Sequence, residues 1–159
     1  MRFFKYHALG NDYLVLEPQD CAPLFSQDAI RKVCHRHYGL GSDGILYGPI
    51  ERADGAFGLR ILNPDGSEAE KSGNGIRIFC RHLLETKRVQ EGQAFKVHTP
   101  GGLVGCSVFE GGNRIRVEMG QVSFSAPVIP HIGADREVLG ESITVNGKTF
   151  KYWAATVGN

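Results

Sequence analysis

Asn11, Asn63, Asn74 and Asn159 stand at expected turn tips and loop-to-helix junctions, each beside glycine or proline. Such a set could clamp a zwitterion without charges of its own, because amide oxygens accept from an ammonium and amide N–H groups donate to a carboxylate. Turns also use asparagine for ordinary backbone reasons, so each one alone fits a structural role equally well. The densest stretch is residues 63–81, NPDGSEAEKSGNGIRIFCR. Asn63-Pro64-Asp65-Gly66 combines a fixed φ at proline with the freedom of glycine and predicts a chain reversal after the apolar run 58–62. Ile76, Phe79, Cys80, Leu83 and Leu84 then repeat with the spacing of one buried helix face, so a helix begins at Gly73-Asn74-Gly75. The first N–H groups of a helix lack intrahelical partners, and without side chains at Gly73 and Gly75 an anion could approach them closely. A capped core helix behind a flexible loop accounts for the same window.

The elements that must hold these residues are mostly strands. Residues 3–7 and 13–16 read as a hairpin around Gly10-Asn11-Asp12, with Asn11 at its tip. Ser26 is a good N-cap for a helix carrying Ala29, Ile30, Val33, Cys34 and His37 on one side and stopped by Gly39. A second glycine-rich loop, residues 39–44, leads into strands near 45–47 and 56–62, and strands near 94–98, 103–109 and 114–118 follow the second helix. Many strands with two helices among them predict an α+β fold instead of a regular βαβ winding.

Other chemistries find little support. Cys34-His35-Arg36-His37 and Cys80-Arg81-His82 place adjacent residues on different helix faces, which predicts core cysteines and surface histidines and no metal site. No lysine followed by serine or threonine completes a phosphate loop, and no Ser-His-Asp triad can be assembled. With 18 basic and 17 acidic residues scattered along the chain there is no field for nucleic acid. No apolar run is long enough to span a membrane, and the four cysteines form no CxxC pair. A cytoplasmic protein with reduced thiols is expected.

Residues 122–140, with Pro127 and Pro130, interrupt the strand rhythm and read as a connection between units. Beyond them Phe150-Lys151-Tyr152-Trp153-Ala154 repeats the pattern of Phe4-Lys5-Tyr6-His7-Ala8, and both copies close on Gly-Asn. The repeat predicts a first domain over 1–119 and, over 120–159, a linker and the opening strands of a second domain of a protein roughly twice this length.

The segments YHALGNDYLVL, GLGSDGIL, NPDGSEAEKSGNGIRIFCR and the terminal VGN resemble the diaminopimelate epimerase family, in the same order and across essentially the whole chain. The resemblance implies two pseudo-symmetric α+β domains, each a strand layer wrapped around a central helix, with the active site between them. It implies epimerisation of LL- to meso-diaminopimelate, for lysine and peptidoglycan precursors, without pyridoxal phosphate, other cofactor or metal. One thiolate would remove the α-proton and an opposite thiol would return one, with Gly73 and Asn74 holding the α-carboxylate and Asn11, Asn63 and Asn159 binding substrate. A homodimer is compatible with this reading.

Where the family's first catalytic cysteine is expected, this chain has Ser72. Serine is a far weaker acid than a thiol and a poor base without an activating neighbour. An engineered change, a branch working with one cysteine and a serine, a branch with altered chemistry and an inactive homologue all remain open, and Lys71 beside it favours a natural branch. Gly44 stands where many members have glutamine, which leaves a racemase of another amino acid open. A catalytically silent ligand-binding homologue is a further alternative, as is an isomerase using Glu68 or Glu70 as its base. The chain by itself is expected to be inactive, since the opposing cysteine belongs to the other half.

Overall fold

Alternating side chains let the central strands serve two helices at once. The structure, a computed structural model, describes residues 2–21, 26–129 and 131–157, and the chain divides into two units, Met1–Glu118 and Met119–Asn159. In the first unit β1 (Phe4–Ala8), β2 (Asn11–Leu16), β3 (Ile45–Ile50), β4 (Phe57–Leu62), β5 (Glu68–Ala69), β6 (Ala94–Thr99), β7 (Gly102–Phe109) and β8 (Arg114–Val117) form one sheet. Its order is β1-β2-β3-β4-β6-β7-β8, with β5 paired to β4. The pairs β2–β3 and β4–β6 are parallel, and the others antiparallel.

One face of β2 and β3, with Leu14, Leu16, Ile45 and Tyr47, packs with Leu62 against Ile30 and Cys34 of α1 (Gln27–Cys34). The sheet curls around α2 (Gly73–Glu85), which touches both edge strands, β1 and β8, as well as β2, β3 and β7. Such wrapping buries more of α2 than one stripe, namely Ile76, Phe79, Cys80 and Leu83 and also Ile78 and His82. The expected α+β architecture, a strand layer around a central helix, is therefore the one observed.

Three local expectations need correction. Ala8 pairs with Asn11, so the hairpin turn is Leu9-Gly10, both at positive φ (55° and 87°), and Asn11 is the first residue of β2 instead of the tip. Helix α1 ends at Cys34, well before Gly39, because His35 is extended and its Nδ1 accepts from the N–H groups of His37 and Tyr38 (both 3.1 Å). Gly39 instead lets the chain fold back over the helix end, where a Cβ would lie 2.0 Å from the Lys32 carbonyl oxygen. Third, His82 is no surface histidine: it is fully buried, with Nε2 2.6 Å from Oε1 of Glu17. Glu17, also buried, receives both Nη1 and Nη2 of Arg88 (2.9 and 2.6 Å). Burial alone would raise the Glu17 carboxyl, but hydrogen bonds from Arg88, His82 and Gln19 outweigh it and hold the group below its usual range.

In the second unit β9 (Glu141–Val145) and β10 (Lys148–Tyr152) form a hairpin over the turn Asn146-Gly147. Ala126 and Val138 are buried there, while Ile143, Val145, Phe150 and Trp153 are exposed. Arg136 clasps Glu141 through Nε and Nη2 (2.5 and 2.8 Å), and the Tyr152 hydroxyl donates to the same carboxylate (2.7 Å). Among the described residues no helix is long and apolar enough to cross a membrane.

Candidate functional site

The start of α2 is built as its sequence suggests. Ser72 is extended (φ −147°, ψ 114°), and its Oγ accepts from the Gly75 N–H at 3.0 Å, an ordinary N-cap. Gly75 is closely packed, since a Cβ would sit 3.1 Å from both Leu46 Cδ2 and Ser72 Oγ. The preceding N–H groups, of Gly73 and Asn74, have no acceptor among the described residues. Both residues are half-buried, so these donors remain open to a ligand.

Side chains from the hairpin and from the loop before β3 converge on this helix start. Asn74 Nδ2 donates to Asn11 Oδ1 at 3.2 Å, and Asn11 Nδ2 donates to Asp43 Oδ2 at 3.0 Å. The Asp12 N–H donates to the same Asp43 oxygen at 3.1 Å. Arg36 Nη2 bridges Asp12 Oδ1 (2.7 Å) and Asp43 Oδ1 (2.6 Å), and Lys5 Nζ lies 3.3 Å from Asp12 Oδ2. On the other side Arg77 Nη2 donates to Asn74 Oδ1. The Arg36 guanidinium, with Lys5, lowers the Asp12 carboxyl to about 2. Asp43 is likewise held below the usual carboxylate range, first by the Asn11 amide and further by the Asp12 N–H and Arg36, against the opposing effect of burial.

Tyr13 places its hydroxyl 3.5 Å from Ser72 Oγ. Its ring also fills the space beside Gly44, where a Cβ would meet Tyr13 Cε1 at 2.7 Å and the Leu62 carbonyl oxygen at 2.6 Å.

Of the residues expected from sequence, Asn11, Ser72, Gly73 and Asn74 come together. Asn63 is engaged within its own turn, donating through Nδ2 to Ser67 Oγ at 2.9 Å, and Asn159 lies outside the described residues. Glu68 forms a two-pronged pair with Arg60 (2.9 Å for each bond), and Glu70 is exposed. A cavity of about 510 Å³ between β1, α2 and Ile115 shares Lys5 and Arg77 with this cluster but is lined by none of the expected residues. Sequence reasoning missed Tyr13, Arg36, Asp43 and Arg77. Asp43 had a signal, its place in the second glycine-rich loop.

Comparison with known proteins bears on the fold and the family. The crystal structure of a hydroxyproline epimerase from Agrobacterium vitis, with bound trans-4-hydroxy-L-proline, superposes with a TM-score of 0.60 over 96% of this chain and 48% of that one. At 15% identity the likeness concerns the fold alone. Diaminopimelate epimerase 2 of Nostoc sp. is 52% identical over all 159 residues, which correspond to 55% of its own length. The diaminopimelate epimerase of Moorella thermoacetica is 40% identical across the whole chain and 58% of that relative, so the chain spans a little over half the length of both. The sequence model of the diaminopimelate epimerase family matches residues 3–125, the stretch that holds the α2 start and every side chain gathered around it, and the chain belongs to that family.

Proposed function

We propose that this chain supplies one half of the active site of a cofactor-independent amino-acid epimerase acting on diaminopimelate, the other half coming from a second domain that opens within residues 120–159. The observation that carries this is the pair of open N–H groups of Gly73 and Asn74 beside the amides of Asn11 and Asn74. Main-chain donors at a helix start suit an α-carboxylate, and they stabilise the charge that moves onto it when the α-proton leaves. Ser72 Oγ accepts from the Gly75 N–H, which leaves its own proton available to donate toward the site, and Ser72 remains the proposed catalytic residue. Asn63 and Asn159 remain proposed substrate ligands. Free cysteines throughout the described residues fit a reducing, cytoplasmic setting.

A second reading, a ligand-binding homologue without turnover, is favoured by one feature: among the described residues Tyr13 is the only side chain hydrogen-bonded to Ser72, and no basic group among them activates it. A third, a racemase of another amino acid, draws on Tyr13 filling the space beside Gly44. One experiment separates them. The chain is joined to the remaining portion of the Nostoc relative, and α-proton exchange in heavy water is followed by NMR for diaminopimelate and a panel of amino acids. Exchange with diaminopimelate supports the proposal, exchange with another amino acid supports the third reading, and binding without exchange supports the second. Exchange catalysed by the isolated 159-residue chain would overturn the half-site.

A further inference from the structure

The two amides at the site stand in a chain whose ends admit one direction only. A carboxylate accepts and never donates, so the atom of Asn11 facing Asp43 has to be Nδ2. That turns Oδ1 of Asn11 toward Asn74, which answers with its own Nδ2 and thereby turns its Oδ1 toward Arg77. A guanidinium donates and never accepts, so the far end is equally single-valued. Asp43 is itself fixed, because Arg36 holds one of its oxygens and the Asp12 N–H shares the other with Asn11.

We infer that Asp43 is a positioning residue, one that sets which way the Asn11 and Asn74 amides face and so which groups they present at the start of α2. This rests on the proposed site. Each amide nitrogen spends one N–H within the chain and keeps a second, so both amides offer a donor to an incoming carboxylate. Reversing the chain would offer oxygens in those places and repel it. Neither Asp43 nor Arg36 needs to touch the ligand.

Asp43→Asn breaks this logic without changing shape. If the new amide turns its oxygen to Asn11 and the Asp12 N–H, its NH2 faces the Arg36 guanidinium, donor against donor. If it turns the oxygen to Arg36, its NH2 faces Asn11, and Asn11 has to flip. Arg36→Gln, by contrast, loosens the clamp yet leaves a carboxylate facing Asn11, so the direction survives. This pair separates orientation from mere loop support.

The test is ¹⁵N NMR of the 159-residue chain, reading the side-chain NH2 resonances of Asn11 and Asn74 and titrating meso-diaminopimelate. In the unmodified chain the Asn11 NH2 protons should show strong contacts to the Asp12 N–H, since both groups share one Asp43 oxygen. Asp43→Asn should move the Asn11 and Asn74 NH2 signals together and weaken binding about tenfold, the loss of roughly one charge-assisted contact. Arg36→Gln should leave both NH2 signals in place and affinity within about twofold. Contacts from the Asn11 NH2 to the Asn74 amide, and from the Asn74 NH2 to the Arg77 guanidinium, in place of those from the Asn11 NH2 to the Asp12 N–H would overturn the inference even if Asp43→Asn did not fold. So would an Asp43→Asn chain whose Asn74 signal stays unchanged. The NH2 contacts are read without ligand, so absence of any diaminopimelate shift at Gly73 and Asn74 would count against the proposed function alone.

Discussion

Ser72→Cys turns the central claim about α2 into a titration. The thiol would stand at the N-cap, where the present Oγ is 3.0 Å from the Gly75 nitrogen and the N–H groups of Gly73 and Asn74 are open. A hydrogen bond to a charged group contributes about 1.5–3 kcal/mol, and a helix terminus about 0.3–1 kcal/mol. The half-buried position opposes ionisation and cancels part of this. At about 1.4 kcal/mol per pKa unit, a net gain of roughly one unit remains, which moves the thiol from its ordinary value of about 8.5 to about 7.5. The pH dependence of iodoacetamide alkylation, read peptide by peptide by mass spectrometry, measures it in this chain. The native cysteines serve as references: burial raises Cys34, and its contact with Cys106, together with burial, raises Cys80. Linkage supplies a second reading. A folded pKa below the unfolded one stabilises the native state fully above about 8.5, and this added stability disappears as pH falls through about 7.5. A thiol at position 72 that titrates at or above the ordinary value would show that these amides do not stabilise an anion, and the proposed function would lose its basis.

Other expectations concern the frame around the site. Burial lowers the His82 pKa, so its neutral form favours folding; that contribution is complete above about 6.5 and is lost as pH falls further. Glu17 is also held low, so its contribution is complete above about 4.5 and is lost below that. Urea denaturation across pH should therefore show a plateau above about 7 and a decline below it, and His82→Gln should remove the upper part of the decline. An unchanged curve in that variant would reassign the titration. Arg88→Ala leaves Glu17 charged and nearly inaccessible; because Arg88 is itself 31% exposed, the loss should be about 2–3 kcal/mol at pH 7, and a midpoint shift too small to measure would contradict the ion-pair assignment. Gly44→Ala should cost about 1–3 kcal/mol, since the Leu62 carbonyl cannot yield as a flexible side chain can, and wild-type stability would mean that Tyr13 does not fill this space.

What the sequence disclosed and what it concealed divide along the range of the interactions. The start of α2 was legible because every signal lies within a few residues: the turn Asn63-Pro64-Asp65-Gly66, the cap at Ser72 and the 3.6-residue apolar period after it. The same holds for the Ser26 cap of α1. The end of α1 was not legible, because a ring nitrogen of His35 competes for the N–H groups that would have continued the helix. Nor was the burial of His82, which needs a sheet that reaches around α2 and a glutamate at the far end of β2. In the site, residue type identified Asn11 and Asn74 as hydrogen-bonding groups, but an amide is ambiguous until its neighbours are known. Of those neighbours, Asp43 is brought to Asn11 by the parallel pairing of β2 with β3, whereas Arg77 lies one turn along α2 from Asn74 and its contact is local. Asn63 shows the converse: its type and setting matched the others, yet its own turn uses its amide. What the candidate site presents therefore depends as much on the charges that orient its asparagines as on the asparagines themselves, and the Asp43–Asn11 and Asn74–Arg77 segments join only when β2 packs on α2.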